Sequence, residues 1–147
     1  MSIMSSIDFD LANMMSATEL LSCLQEIGWD IFSPESEVTY LPVNDEDNYN
    51  WQFEKISRAE LHKIIEEKEA HKEIIGIALY WRESEVGVNM LVWPEGKYSF
   101  LINISRRCLY NDKACFDTDL NWYRDNIVGG LQKRGIQITG YTFSEVR

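Results

Sequence analysis

Residues 75–104 read IGIALYWRESEVGVNMLVWPEGKYSFLINI, and this stretch decides the fold. Ile75, Ile77, Leu79 and Trp81 are apolar at every second position. Val86, Val88, Met90 and Val92 repeat the pattern, and Tyr98, Phe100, Ile102 and Ile104 repeat it again. Strict alternation is what a strand with one buried face requires. A two-residue loop at Glu83-Ser84 sets Trp81 opposite Val86, Leu79 opposite Val88, Ile77 opposite Met90 and Ile75 opposite Val92. A three-residue loop at Pro94-Glu95-Gly96, with Gly96 left-handed, sets Val92 opposite Tyr98, Met90 opposite Phe100, Val88 opposite Ile102 and Val86 opposite Ile104. Both loops bring the same side chains to one face, and a slip of one residue sends them to the other. The expectation is a three-stranded antiparallel meander over about 74–105.

The flanks extend this core. Ser57-Arg58-Ala59-Glu60 is a capping box that opens a helix over about 58–71, with Leu61, Ile64 and Ile65 as a narrow apolar stripe. Ser16-Ala17-Thr18-Glu19 opens another over about 17–27, where Leu20, Leu21, Leu24 and Ile27 share a face and Gly28 is the stop. Between them, Val38 and Tyr40 alternate, as do Tyr49, Trp51 and Phe53, across the polar turn Asn44–Asn48. This predicts a hairpin whose first strand Pro42 either confines to a sheet edge or ends. After the meander, Asp117 or Thr118 caps a third helix over about 118–134, with Leu120, Tyr123, Ile127, Val128 and Leu131 on its buried face. Gly129-Gly130 costs that helix about 1 kcal/mol per residue, which implies close packing, a kink or an early end. A last strand runs from Ile136 to Phe143, and a bulge at Gly140 reconciles Ile136 and Ile138 with the opposite parity of Tyr141 and Phe143. Residues 1–15, rich in Ser, Asp and Met, read as a loose arm. The chain is thus one α+β domain over residues 1–147, with an antiparallel or mixed sheet and helices on one face.

Composition narrows the function. Hydrophobic residues make up 45% of the chain, enough for a packed core. No run approaches the roughly 18 apolar residues of a membrane span, and the N-terminus does not read as a secretory signal. Three cysteines in no paired pattern fit a reducing compartment, so the expected location is cytoplasmic. The net charge is −10, and its placement is sharper than its size. Residues 1–54 contain 11 acids and no Lys or Arg, while the remaining 93 residues hold the other 13 acids and all 14 bases. Such a field attracts basic partners and argues against nucleic acid, whose phosphates need Lys and Arg. Acidic surfaces also serve solubility alone.

No motif carries catalysis. His62 and His71 lie nine residues apart, which at about 100° per residue puts them on opposite sides of a helix. Cys108 and Cys115 lack the close spacing of a zinc site and read as packing cysteines, with a transient disulfide as the alternative. The carboxylate pairs Asp45/Asp47 and Asp117/Asp119 have no sign of the burial that tunes a general acid. No phosphate loop or nucleophile set can be assembled. The expectation is a protein that is not an enzyme and holds no metal or cofactor.

What remains is an acidic, aromatic segment: Glu35, Glu37, Tyr40, Asp45, Glu46, Asp47, Tyr49 and Trp51. Interfaces use Tyr and Trp as anchors and charge for steering. In size, in this acidic stretch and in its α+β layout, the chain resembles the immunity proteins of bacterial polymorphic and contact-dependent growth inhibition toxins. The resemblance implies a cytoplasmic inhibitor that neutralises a basic nuclease toxin by covering its active site. The alternative is a small-ligand-binding or regulatory module on the other face of the meander, where Tyr80, Asn89, Trp93 and Asn103 mix polar and aromatic groups.

Overall fold

A computed structural model describes residues 4–108 and 118–146. Among these residues eight strands form one sheet: β1 (Met4–Leu11), β2 (Trp29–Asp30), β3 (Val38–Tyr40), β4 (Gln52–Glu54), β5 (Ile75–Trp81), β6 (Gly87–Val92), β7 (Tyr98–Ile104) and β8 (Ile138–Val146). Every pairing is antiparallel. The order is β4-β3-β5-β6-β7-β1-β8, with β2 pairing the far end of the same edge of β5 that β3 uses. Among the described residues four helices interrupt the strands: α1 (Ala17–Ile27), α2 (Arg58–Ala70), α3 (Leu120–Asn126) and α4 (Val128–Lys133). The fold is α+β.

Side-chain alternation sorts the sheet into two faces. Ile75, Ile77 and Leu79 of β5 pair with Val92, Met90 and Val88 of β6, and all six are buried. The turn between these strands places Arg82 and Glu83 at positive φ, with the Ser84 N–H donating to the Trp81 carbonyl at 2.8 Å. The tight turn is therefore Arg82-Glu83, one residue earlier than expected, while Trp81 still donates to Val86 across the pair. Gly96 takes φ 90° at the next turn, where its N–H donates to the Trp93 carbonyl. Beyond Asn89–Leu101 the register of β6 and β7 shifts. Asn89 faces Leu101 and Gly87 faces Ile104. One extra residue in β7 turns Ile104 off the core face, so it lies against Gly87 on the other side.

Within the loose arm expected over residues 1–15, residues 4–11 instead form strand β1, lodged between β7 and β8, and residues 1–3 lie outside the described residues. Ile7 and Phe9 are buried, and Phe9 stacks between Tyr98 and Phe100 at 5.5 Å from each. Pairing on both sides outweighs the poor strand propensity of Asp8 and Asp10. The register of β1 with β8 shifts beside Gly140, between the Asp10–Gly140 and Leu11–Ile138 pairs, and this bulge brings Ile138 and Phe143 to the same side.

The helices cover the face that carries Ile77, Met90 and Phe100. Leu20, Leu21, Leu24 and Ile27 of α1 join Leu61 and Ile65 of α2 and Tyr123, Ile127, Val128 and Leu131 in one core. Each such side chain contributes about 1.5–3 kcal/mol on full burial. Ser16 accepts from the Glu19 N–H, and the capping box at Ser57 and Glu60 is complete. The third helix departs from expectation. Asp119 caps it, not Thr118, whose hydroxyl is buried beside Ser5 at 3.2 Å; Asp117 lies outside the described residues. It also breaks at Ile127 (ψ −75°) into α3 and α4. The Asn126 carbonyl, which a continuous helix would direct at Gly130, accepts from the Trp29 indole at 2.9 Å. Trp122 packs edge to face on Trp29 and Trp81, and these two are tilted at 60° to each other. Cys108 is disulfide-bonded and so is not the packing thiol expected; Cys115 lies outside the described residues.

Candidate functional site

The hairpin of β3 and β4 carries the acidic segment. Its strands pair Val38 with Glu54, Thr39 with Phe53 and Tyr40 with Gln52. The loop between them, residues 41–51, folds back over the second face of the sheet. Leu41 donates its N–H to the Gly76 carbonyl at 3.0 Å. A Cβ on Gly76 would meet Leu41 Cδ1 at 2.7 Å and Trp51 Cη2 at 2.8 Å. The absence of a side chain there lets two apolar groups lie flat on β5, and Leu91 on the neighbouring strand is buried on the same side.

The loop is held from within and from below. Asp45 is only 8% exposed, and its two carboxylate oxygens accept from the Tyr49 and Asn50 N–H groups at 2.9 and 3.0 Å. From below, the ammonium of Lys68 donates to the Pro42 carbonyl at 2.7 Å and lies 3.7 Å from Glu73. Glu73 in turn accepts from the Asn44 N–H at 2.8 Å. Lys68 is 1% exposed, and burial holds its ammonium below the ordinary lysine range against the opposing pull of Glu73, Asp45 and Asp47. Asn44, Glu46, Asp47 and Tyr49 all take positive φ, between 51° and 63°. None is glycine, so each carries a cost of order 1 kcal/mol that the anchoring contacts must offset.

This geometry divides the eight candidate residues. Glu46, Asp47 and Tyr49 project from the tip and are exposed, while Trp51 is a half-buried foot. Asp45 and Tyr40 are not available to a partner. Asp45 is the internal clamp of the loop, and Tyr40 is 6% exposed with its hydroxyl donating to Glu54 at 3.0 Å. Burial and that carboxylate both push the Tyr40 phenol up. Glu35 and Glu37 sit at the opposite end of β3, in a turn closed by Ser33, whose Oγ accepts from the Glu37 N–H. Two exposed groups escaped the sequence reading. Phe53 is 67% exposed on the outermost strand, and Glu54 beside it faces water. The alternation Tyr49, Trp51, Phe53 carries the signal for Phe53, while no local pattern marks Glu54.

The alternative face is split. Tyr80 hydrogen-bonds Thr39 and is pushed up by burial. The Asn89 amide donates to Asn103 at 3.0 Å, and Asn89 Oδ1 has no partner among the described residues. Trp93 stands apart at the opposite end, between two open clefts of about 620 and 610 Å³. Among the described residues no group of three His, Cys, Asp or Glu side chains is placed to hold a metal ion, and no helix is long and apolar enough to cross a membrane. No family model matches the chain, and no curated protein or solved structure matches it.

Proposed function

We propose that this chain is a protein-binding inhibitor that engages a basic partner through the β3–β4 hairpin, as an immunity protein covers the active site of a nuclease toxin. One observation carries the reading. The exposed acids Glu46 and Asp47 and the exposed aromatics Tyr49 and Phe53 belong to a loop and strand held rigid by buried contacts. A surface ordered before contact loses little conformational entropy on binding. Its charge, in a segment with no Lys or Arg before Lys55, draws a cationic partner. The proposed contact set is Glu46, Asp47, Tyr49 and Phe53, with Glu35 and Glu37 widening the acidic field. No catalytic step belongs to this reading. A cytoplasmic location does, and the disulfide at Cys108 weighs against it, since such bonds persist mainly in oxidising compartments.

The test is binding to the protein encoded beside this gene, followed by kinetics across a salt series. Glu46→Lys with Asp47→Lys should slow association and flatten its salt dependence. Asp45→Ala should act differently, loosening the loop and speeding dissociation. A complex whose association rate and salt slope ignore the double reversal rules out this surface. The second reading, a ligand site at Tyr80 and Asn89, rests on the unpartnered Asn89 oxygen. A small molecule that raises the melting temperature in wild type but not in Asn89→Ala would favour it.

A further inference from the structure

The two edges of the sheet are managed differently. At one end β4 is three residues long and bears Glu54. At the other, β8 runs for nine residues, and no strand pairs with its outer edge among the described residues. Residues 136–144 contain no charged side chain and no proline, in a chain that is 26% charged. Long edges usually carry lysine, proline or brevity to prevent pairing with another chain. In β8 such devices lie only towards the two ends, the bulge beside Gly140 and the charge of Glu145, and residues 141–144 between them carry none. On the helix side of β8, Tyr141 is 43% exposed and packs edge to face on Phe143 with ring centres 5.8 Å apart.

We propose that the outer edge of β8 pairs antiparallel with β8 of a second copy of this chain, joining the two sheets through a two-fold axis. Charge selects the occupant. Two molecules of net charge −10 repel over most of their surfaces, and the uncharged run 136–144 is where they can approach. The same lack of charge over 136–144 leaves this edge with little steering for the basic partner proposed above, so this inference stands independently of that reading. A two-fold axis at Thr142 sets Tyr141 of one copy opposite Phe143 of the other, an aromatic cross-strand pair on each side of the axis. It also sets Glu145 opposite Thr139 of the second copy, so no like charges meet.

Sedimentation of the full chain over a wide concentration range tests this. Wild type should approach twice 17.2 kDa, and amide exchange over 141–145 should slow as concentration rises. Thr142 is exposed, so Thr142→Lys and Thr142→Asp should each fold, and each should sediment as a monomer because like charges meet at the axis. An equimolar mixture of the two variants should regain the dimer. A wild type that stays monomeric overturns the proposal. So does a dimer that survives both substitutions, or a mixture that fails to associate.

Discussion

Gly129 and Gly130 are adjacent in α4, yet alanine at the two positions should shift stability in opposite directions. A Cβ on Gly129 meets nothing closer than the Arg124 carbonyl at 3.7 Å, ordinary van der Waals contact. Gly129→Ala should therefore stabilise by about 0.4–1 kcal/mol, chiefly through the lost freedom of the unfolded chain. A Cβ on Gly130 meets Ile27 Cδ1 at 2.8 Å and Cγ1 and Cγ2 at 3.0 Å each. Ile27 belongs to the core between α1 and α4 and has little room to yield. Overpacking of this kind costs about 1–3 kcal/mol, which exceeds the same entropic gain. Gly130→Ala should be destabilised by about 1–2 kcal/mol. At this chain length each kcal/mol moves the melting temperature by about 2–4 °C. Urea unfolding and calorimetry on the two variants should thus give a small rise and a larger fall. Ile27→Val deletes the nearest atom, so Gly130→Ala should cost less in that background than in wild type. Equal signs at the two glycines, or no coupling between Gly130 and Ile27, would refute the close packing of α4 on α1.

Three other outcomes are expected. Gly76→Ala should destabilise by about 1–3 kcal/mol, because its Cβ collides with Leu41 and Trp51, and limited proteolysis should show faster cleavage within residues 41–51. Lys68→Met should cost about 1.5–3 kcal/mol at neutral pH through its bond to Pro42, less whatever is recovered by not burying the ammonium. The depressed Lys68 value also means that the folded chain sheds this proton before the unfolded chain does. Between that value and about 10.4, the contribution of Lys68 to unfolding free energy should rise with pH; a difference curve against Lys68→Met with no such rise would show the ammonium to be solvated. Trp29→Phe should loosen the junction of α3 and α4 by removing the donor to the Asn126 carbonyl, at a cost of about 1–2 kcal/mol, read as faster amide exchange near Ile127.

Local periodicity carries its own answer wherever both partners of a contact lie close in the chain. The pairs Ile75–Val92 and Ile77–Met90 follow from alternation about one short turn, and the caps at Ser16 and Ser57 follow from three-residue spacing. The same logic located the irregularity beside Gly140, since two apolar pairs of opposite parity cannot share a face without an extra residue. In the acidic segment the residue types were legible, but their roles were not. Asp45 and Glu46 are neighbours in sequence, yet one is an internal clamp and the other faces water.

Alternation, capping and charge placement were thus determined by the sequence alone, because each depends on residues a few positions apart. The tertiary structure decided the rest. Strand β1 exists because β7 and β8, about 90 and 130 residues later, close on both its sides. The third helix breaks because an indole from β2 takes one of its carbonyls. The acidic loop stands as it does because Gly76 and Lys68 hold it from below. Each is a contact between distant parts of the chain, and its energy enters only once the chain has folded.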